Sequence, residues 1–570
     1  MEFFKKNENR IEDSKSDTEV PNKLFIKSRI SLYDSTQIET TFDYKLQLDR
    51  EHDFFLKKNQ KFEVKAYFFF PAQMNVNSQT YTKNDFYQDL NPLVRLREPR
   101  YSFKEFFGIS KNSILSPIER MKVLLDHYKK QRGKHVSEKM LIDQARIFAC
   151  SYGVYFEKRI SRKCKKLSNY RKKESLSSED IEKRNAAFVE SCDSLLKRGR
   201  KILLEWQNIV NTHFQSEEHP DSLKHEINLV NEYCFYCFRE GLARLSQALL
   251  SCEYIVNARK GSLERSLRVW ARWLSWYSDR KNYIRLEAKS ILEEKEGFAF
   301  RFTFLKKHME QVLFLDMKPR PGFTLQRQIA PMLAAGIAAL WAFAANFLIW
   351  YEFQFGGFSF SNGENLLGLS GLMVVFAFTL AYILKDRIKE LGRNRFGKGF
   401  FRQLPDFSEK IWVPGGTDRK INIGYVQEWM KFLELETAPD SVKELRKFHS
   451  QVELDREKTI YYRKTIELDE KRIRKQDLPF TSVRDIIRFD LKRHLNKLGK
   501  PVLDYLSLEH DGSIVSFKIP RVFHVDIAIK YLFQNPDSLL TQSRTEYYRL
   551  FLHKDGLIRI ENKSAELAAN

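Results

Sequence analysis

Two apolar runs, Ile329–Tyr351 and Leu366–Leu384, constrain this chain more than any other feature. Neither contains an Asp, Glu, Lys or Arg, and fourteen residues join them. A helix rises about 1.5 Å per residue and a bilayer hydrocarbon core is about 30 Å thick, so roughly 20 apolar residues cross it. The runs hold 23 and 19 residues. They are read as two transmembrane helices, 329–351 and 366–384, with 352–365 as a short outer loop rich in phenylalanine and glycine. A buried helix pair in a water-soluble fold is the competing reading, but such helices keep a polar edge, and Ala330–Ile349 has only Asn346.

The flanks set an orientation. Lys318, Arg320 and Arg327 precede the first run, Lys385, Arg387, Lys389, Arg393, Arg395, Lys398 and Arg402 follow the second, and the loop has no basic residue. The positive-inside rule then puts both termini in the cytoplasm and makes the chain a multi-pass protein of the cell (inner) membrane. Arg320, Arg327, Lys385, Arg387, Lys389, Arg393, Arg395 and Lys398 are expected at the membrane interface, on anionic inner-leaflet headgroups. Small residues let helices approach closely, so Ala334, Ala338 and Ala342 on the first helix, with Ala377 and Ala381 on the second, are expected to pack the spans on each other or on a second copy.

Composition places most of the mass in water. The mean hydropathy is −0.48, and 30% of the 570 residues are charged. The net charge of +23 points first to an anionic bilayer surface; nucleic acid is disfavoured because no nucleic-acid module is recognisable and the excess is spread widely. The start, Met1-Glu2-Phe3-Phe4-Lys5-Lys6, lacks the apolar run of a signal peptide. With no export expected, Cys150, Cys164, Cys192, Cys234, Cys237 and Cys252 are read as free thiols.

Taken in order, residues 1–21 read as a mobile tail. Alternation in Tyr44–Leu48 and Phe62–Phe68 predicts strands, so 22–105 is a small antiparallel β domain, with Phe68, Phe69 and Phe70 in core and sheet-edge packing. Residues 112–316 carry apolar positions at three- and four-residue spacing and form a helical domain of five or six long helices. Residues 385–439 are a basic juxtamembrane segment and linker. The charged stretch 440–476 reads as a long exposed helix: Leu445, Val452, Ile466 and Ile473 share a heptad position, but Asp455 and Asp469 spoil the partner position of a coiled coil. Residues 480–562 read as a small α+β domain, with helices over Val483–Leu498 and Val522–Phe533 and hairpins at Asp511-Gly512 and Asp555-Gly556. The fold class that follows is a mainly α, multidomain integral membrane protein built on a two-helix hairpin.

Chemistry-bearing patterns are sparse. Cys234-Phe235-Tyr236-Cys237 has the spacing of a metal or redox pair, yet no second pair completes a ligand set, and buried thiols explain it as well. Trp270, Trp273 and Trp276, with Arg265, Arg268, Arg272 and Arg280 around them, suit helix packing or a membrane interface. His510, His524, Asp526 and His553 show no spacing that gathers them. Nine of the seventeen residues Lys158–Glu174 are basic, and Arg159, Arg162, Lys163 and Lys166 share one helix face; this is a solvated helix end or a contact for a headgroup or an acidic partner. No phosphate-loop, kinase, nucleophile-elbow, H-E-x-x-H or dinucleotide fingerprint is present. No catalytic, cofactor or metal residue is therefore assigned. The expected function is a membrane-anchored cytoplasmic scaffold, adaptor or assembly protein acting through an unknown protein partner or self-association. A subunit of an oligomeric channel or transport complex stands second, and a membrane-tethered enzyme without a familiar motif third.

Overall fold

The computed structural model describes residues 26–46, 59–108, 116–131, 138–170, 178–214, 220–251, 253–284, 286, 289–317, 320–321, 324–355, 369–400, 405–414, 420–434, 437–449, 458–475, 480, 482–534 and 541–564. The expected tail 1–21, most of the expected outer loop and Cys252 lie outside these residues.

Strands from the two ends of the chain interleave in one β-sandwich. The first third supplies β1 (Ile26–Leu32), β2 (Gln37–Lys45), β3 (Asn59–Phe70) and β4 (Leu90–Leu96), with the short helices α1 (Lys83–Asp89) and α2 (Phe103–Phe106) beside them. The middle contributes the two-residue strands β5 (Asp316–Met317) and β6 (Arg320–Pro321). The last third adds β7 (Phe407–Pro414), β8 (Lys420–Leu433), β9 (Lys458–Asp469), β10 (Ser482–Asp490), β11 (Val502–Leu508), β12 (Ile514–Pro520), β13 (Phe523–Gln534), β14 (Thr541–His553) and β15 (Gly556–Asn562). The large antiparallel sheet runs β15-β14-β13-β3-β9-β8-β7, and β5 and β6 both pair with β7. The smaller sheet runs β1-β2-β10-β4, and β11 pairs with β12 in a separate ribbon.

Alternation explains why these segments become strands facing one another. Ile38, Phe42 and Tyr44 of β2 turn inward, as do Phe62, Val64, Phe68 and Phe70 of β3 and Val483, Ile487 and Phe489 of β10. β3 is central rather than peripheral, with β13 on one side and β9 on the other. Its Phe69 and Tyr67 point away from the sandwich into a second small core with Val442, Ala528 and Tyr547. Val442 comes from α11 (Asp440–His449), so this helix covers that face.

The helical module sits between β4 and β5 in the chain. It comprises α3 (Pro117–Gln131), α4 (Glu138–Tyr170), α5 (Ser178–Phe214), α6 (Asp221–Leu250), α7 (Glu253–Lys281) and α8 (Leu292–Glu310). At 33 residues α4 is about 50 Å long, and it packs along α6. Between them Phe156 fills a slot made by two glycines: a Cβ on Gly199 would lie 2.7 Å from the ring, and one on Gly241 only 2.4 Å from it. The remaining helices are the long pair α9 (Thr324–Phe355) and α10 (Leu369–Phe400), then α12 (Glu470–Lys475) and α13 (Lys492–Leu495).

Several expectations are corrected. The protein is mixed α/β, 54% helical and 32% strand, and not a mainly α membrane protein. Among the described residues one helix, over Pro331–Tyr351 with a mean hydropathy of 2.0, is long and apolar enough to cross a membrane; the second run does not provide another. The multi-pass topology, and with it the inner-membrane localisation with both termini cytoplasmic, is overturned. Length and composition alone do not mark a helix as a membrane span, and pairing between strands more than 400 residues apart, as in β2 with β10, leaves no local trace in the sequence. Residues 440–476 are not one helix but α11, β9 and α12, and β9 lies between β3 and β8. Val483–Leu498 and Val522–Phe533 are expected helices that begin as strands β10 and β13. The segment 385–439, expected as a linker, carries the end of α10 and the strands β7 and β8.

Candidate anion-binding site

The helical module brings its most basic stretch to a cleft. Along α4, Ile160 and Leu167 are buried in the core, and Arg159, Arg162, Lys163 and Lys166, at i, i+3, i+4 and i+7 spacing, form a row on the adjoining face. On α5 the same spacing recurs in Ser191, Ser194, Leu195 and Arg198. The two rows face each other across a cavity of about 310 Å³ lined by these eight residues. A second cavity of about 190 Å³ adjoins it, lined by Arg100, Tyr101, Ser102, Val154, Tyr155, Lys158, Arg159 and Arg162. Arg159 and Arg162 belong to both.

The electrostatics are one-sided. Seven cationic side chains line the pair of cavities and no carboxylate does. Among the described residues no ion pair neutralises Arg100, Lys158, Arg159, Arg162, Lys163, Lys166 or Arg198. Arg159 instead lies over the Tyr155 ring at 3.9 Å, and Arg198 over Phe103 at 5.6 Å. Lys163 donates to the Ser191 hydroxyl, which donates on to the Phe188 carbonyl at 2.7 Å. Burial, then the fields of Arg162, Arg97, Arg159 and Lys27, pull the Lys158 ammonium below the ordinary lysine value. Burial likewise lowers Lys163, with Lys166 and Arg198 adding to it against the opposing Cys192. A row of cations that destabilise one another's charge is stabilised by an anion placed among them.

A larger cavity, about 560 Å³, lies between the helical module and the sandwich and behaves differently. It mixes both signs, and six of its nine charged residues pair within the chain, while Arg100, which it shares with the smaller cavity, does not among the described residues: Arg95 meets Glu98 at 3.0 Å and Glu310 at 3.4 Å, and Arg244 meets Glu240 at 2.5 Å. Arg484 meets Asp43 at 2.7 Å.

The other candidates disperse. Cys234 is fully buried beside the half-buried Cys237, and burial raises both thiols, Cys237 to about 12, which makes them poor nucleophiles and ligands. Asp526 binds Arg549 at 2.9 Å, His553 binds the Pro501 carbonyl at 3.0 Å, and His524 sits edge-on to Phe551. Among the described residues no group of three or more His, Cys, Asp or Glu could hold a metal ion. Trp270 and Trp273 pack on Phe238, while Trp276 is exposed beneath Arg280.

The residues expected in the two helices are placed as follows. Ala334, Ala338 and Ala381 are buried and Ala342 and Ala377 half-buried, along the faces where α9 and α10 meet. Arg320 lies in β6 opposite Ser408, and Arg327 in the first turns of α9. Lys385 lies over the Tyr382 ring at 4.7 Å, Arg387 pairs with Glu390 at 3.3 Å, and Lys389 is exposed. Arg393, Arg395 and Lys398 fall on the last turns of α10. The interface role given to them rested on the two-span topology.

Sequence reasoning singled out the α4 half of the cleft and missed Arg100, Ser191, Ser194 and Arg198. The α5 row carried a usable signal, two serines and an arginine at helical spacing, but nothing local joins it to α4. No protein-family model, no curated protein and no solved structure matches this chain.

Proposed function

We propose that this protein is a scaffold or adaptor that captures an anionic group of its partner in the α4–α5 cleft. One observation carries the reading: seven cations line two joined cavities that hold no carboxylate. A solvated helix face would spread such charges outward; here matched rows on two helices converge on a cleft open to solvent on one side, with hydroxyls of Ser191 and Ser194 at the wall. The β-sandwich, closed by strands from both ends of the chain, is the rigid frame that carries the module. The membrane anchoring that first accompanied a scaffold role forms no part of this reading.

The test is fluorescence anisotropy of a labelled poly-glutamate peptide on the full chain across a salt series. Affinity should fall steeply with salt. The pair Arg162→Glu and Arg198→Glu should weaken it about tenfold or more, since each tenfold step is about 1.4 kcal/mol. Lys492→Glu with Lys497→Glu, exposed on the sandwich, serves as the control. Equal losses in both pairs would show diffuse attraction to a basic protein and would sink the reading.

A further inference from the structure

We propose that the cleft is a two-subsite receptor for a ligand bearing two phosphoryl groups, one in each cavity, with Arg159 and Arg162 between them serving both. The inference rests on the anion-capture reading and names its ligand class.

Three features bear on the ligand class, and the last two select phosphoryl groups over carboxylates and over nucleic acid. Four of the seven cations are arginines, whose planar forks bind oxyanions, carboxylate and phosphate alike, in a two-point fashion that a single lysine does not, so the choice between the two oxyanions falls to charge and size. The charge also fits: a phosphate monoester carries about −1.5 to −2 near neutral pH, so two of them balance roughly four of the cations within a small volume, whereas carboxylates would have to be twice as many. Finally, the cavities are compact, about 310 and 190 Å³, and the Tyr155 ring in the wall of the smaller one is already covered by Arg159. Single-stranded nucleic acid is held by open aromatic platforms along a continuous groove, and duplexes by long basic stripes. A small bisphosphate suits two pockets on either side of one ridge better than either polymer does.

The roles divide by position. Arg198, Lys166 and Lys163 with the two serine hydroxyls hold one group; Arg100 and Lys158 hold the other. Arg159 and Arg162 are one helical turn apart, about 4.5 Å along the axis, and reach both. The same chemistry is offered by a soluble sugar bisphosphate or by the headgroup of a bisphosphorylated inositol lipid.

Isothermal titration calorimetry on the full-length protein tests this with fructose 1,6-bisphosphate, and with fructose 6-phosphate as the single-phosphate control. The bisphosphate should bind about tenfold or more tightly than the monophosphate, the equivalent of about 1.4 kcal/mol. Arg198→Gln and Arg100→Gln, in separate subsites, should each reduce bisphosphate binding to the monophosphate level, and Arg162→Gln should weaken both ligands. Unchanged melting temperatures would show that the exposed substitutions leave the fold intact. Co-sedimentation with vesicles containing phosphatidylinositol bisphosphate, with and without competing soluble bisphosphate, distinguishes the two sources; cleft-dependent binding in either arm supports the shared chemistry. Equal affinity for the two sugar phosphates, indifference to Arg162→Gln, or tighter binding of single-stranded RNA than of either sugar phosphate would overturn the proposal. If the poly-glutamate peptide still binds in a cleft-dependent way while the phosphates do not, the ligand class fails and the anion-capture reading survives.

Discussion

Lys464 on β9 and Asp485 on β10 meet at 2.8 Å across the interior of the sandwich, and neither side chain is exposed. Glu428 on the neighbouring strand β8 approaches the same ammonium at 3.3 Å, and the Tyr44 hydroxyl donates to the far Asp485 oxygen at 3.4 Å. The contact ties the large sheet to the small one with charge at a place where the β9 residues on the same face, Ile460, Tyr462, Ile466 and Leu468, are apolar or aromatic. Removing one member leaves an uncompensated buried charge, which costs about 3–5 kcal/mol. Lys464→Met should therefore lower the free energy of unfolding by that order in urea titrations, and Lys464→Met combined with Asp485→Leu and Glu428→Met, which removes every charge of the cluster, should recover a large part of it. A single substitution with no measurable effect would mean that the cluster takes up water and is not the closed contact described.

Glu409 on β7 lies beside this cluster. Burial raises its carboxyl to about 7, Glu428 and Asp485 push the same way, and Lys464 opposes them. The folded protein then holds a proton that the unfolded chain has already released, so the stability it contributes is complete below the ordinary glutamate value of 4.5 and is lost as pH rises through about 7. The slope is at most about 1.4 kcal/mol per pH unit for one proton. Urea midpoints at about pH 5.5 and about pH 8 should differ in the native chain and differ less in Glu409→Gln. An identical pH response in the two proteins would rule the residue out as the source.

Much of the local structure was legible and most of the assembly was not. Alternation at Phe62–Phe68 marks β3 because one face of that strand meets a uniform apolar layer, and Asp-Gly at 511–512 and 555–556 marks turns whose glycines take positive φ, +84° and +155°. The α4 row of cations was visible because a helix puts i, i+3 and i+7 on one side regardless of what surrounds it. By contrast, β9 hides in a charged stretch: its Lys464 reads as solvent-facing until Asp485 and Glu428, which neutralise it from other strands, are known. The same holds for the cleft as a site. Arg198 and Arg100 are far from α4 in sequence, and only the packing of α5 and of the β4–α2 connection brings them to its cations. The two apolar runs misled in the opposite direction, because length and composition are the same for a membrane span and for a helix of another kind.

His494, at the end of α13, is buried against Phe70 at 4.8 Å and Tyr81 at 4.7 Å. Among the described residues neither ring nitrogen has a hydrogen-bond partner. Burial, helped by Lys497 and Arg493, drives its pKa down to about 3. Here the sign is reversed: the unfolded chain takes up a proton below about 6.5 while the folded one does not, so this stability is present above 6.5 and is lost as pH falls toward 3. His494→Phe should flatten the acid limb of the stability profile by up to about 1.4 kcal/mol per pH unit in that window. Calorimetric melting between about pH 4 and about pH 6.5 is the direct check; an acid limb of unchanged steepness would show that other groups set it.

Phe156 offers the sharpest test of packing in the helical module, because two glycines from different helices press on opposite edges of one ring. Alanine is ordinarily the better helix residue by about 1 kcal/mol, so Gly→Ala stabilises a helix unless its methyl collides. At Gly297 in α8 a Cβ would meet nothing within 4 Å, whereas at Gly241 it would lie 2.4 Å from Cε1 of Phe156. The ring cannot retreat, since its other edge already abuts Gly199 on α5, where a Cβ would lie 2.7 Å away. Overpacking a closed core costs about 1–3 kcal/mol. Gly297→Ala should therefore raise the melting temperature slightly, Gly241→Ala should lower it, and adding Phe156→Leu to Gly241→Ala should restore part of the loss by opening the slot. If Gly241→Ala instead matched Gly297→Ala, α4 and α6 would have to separate more freely than the contact with Phe156 allows.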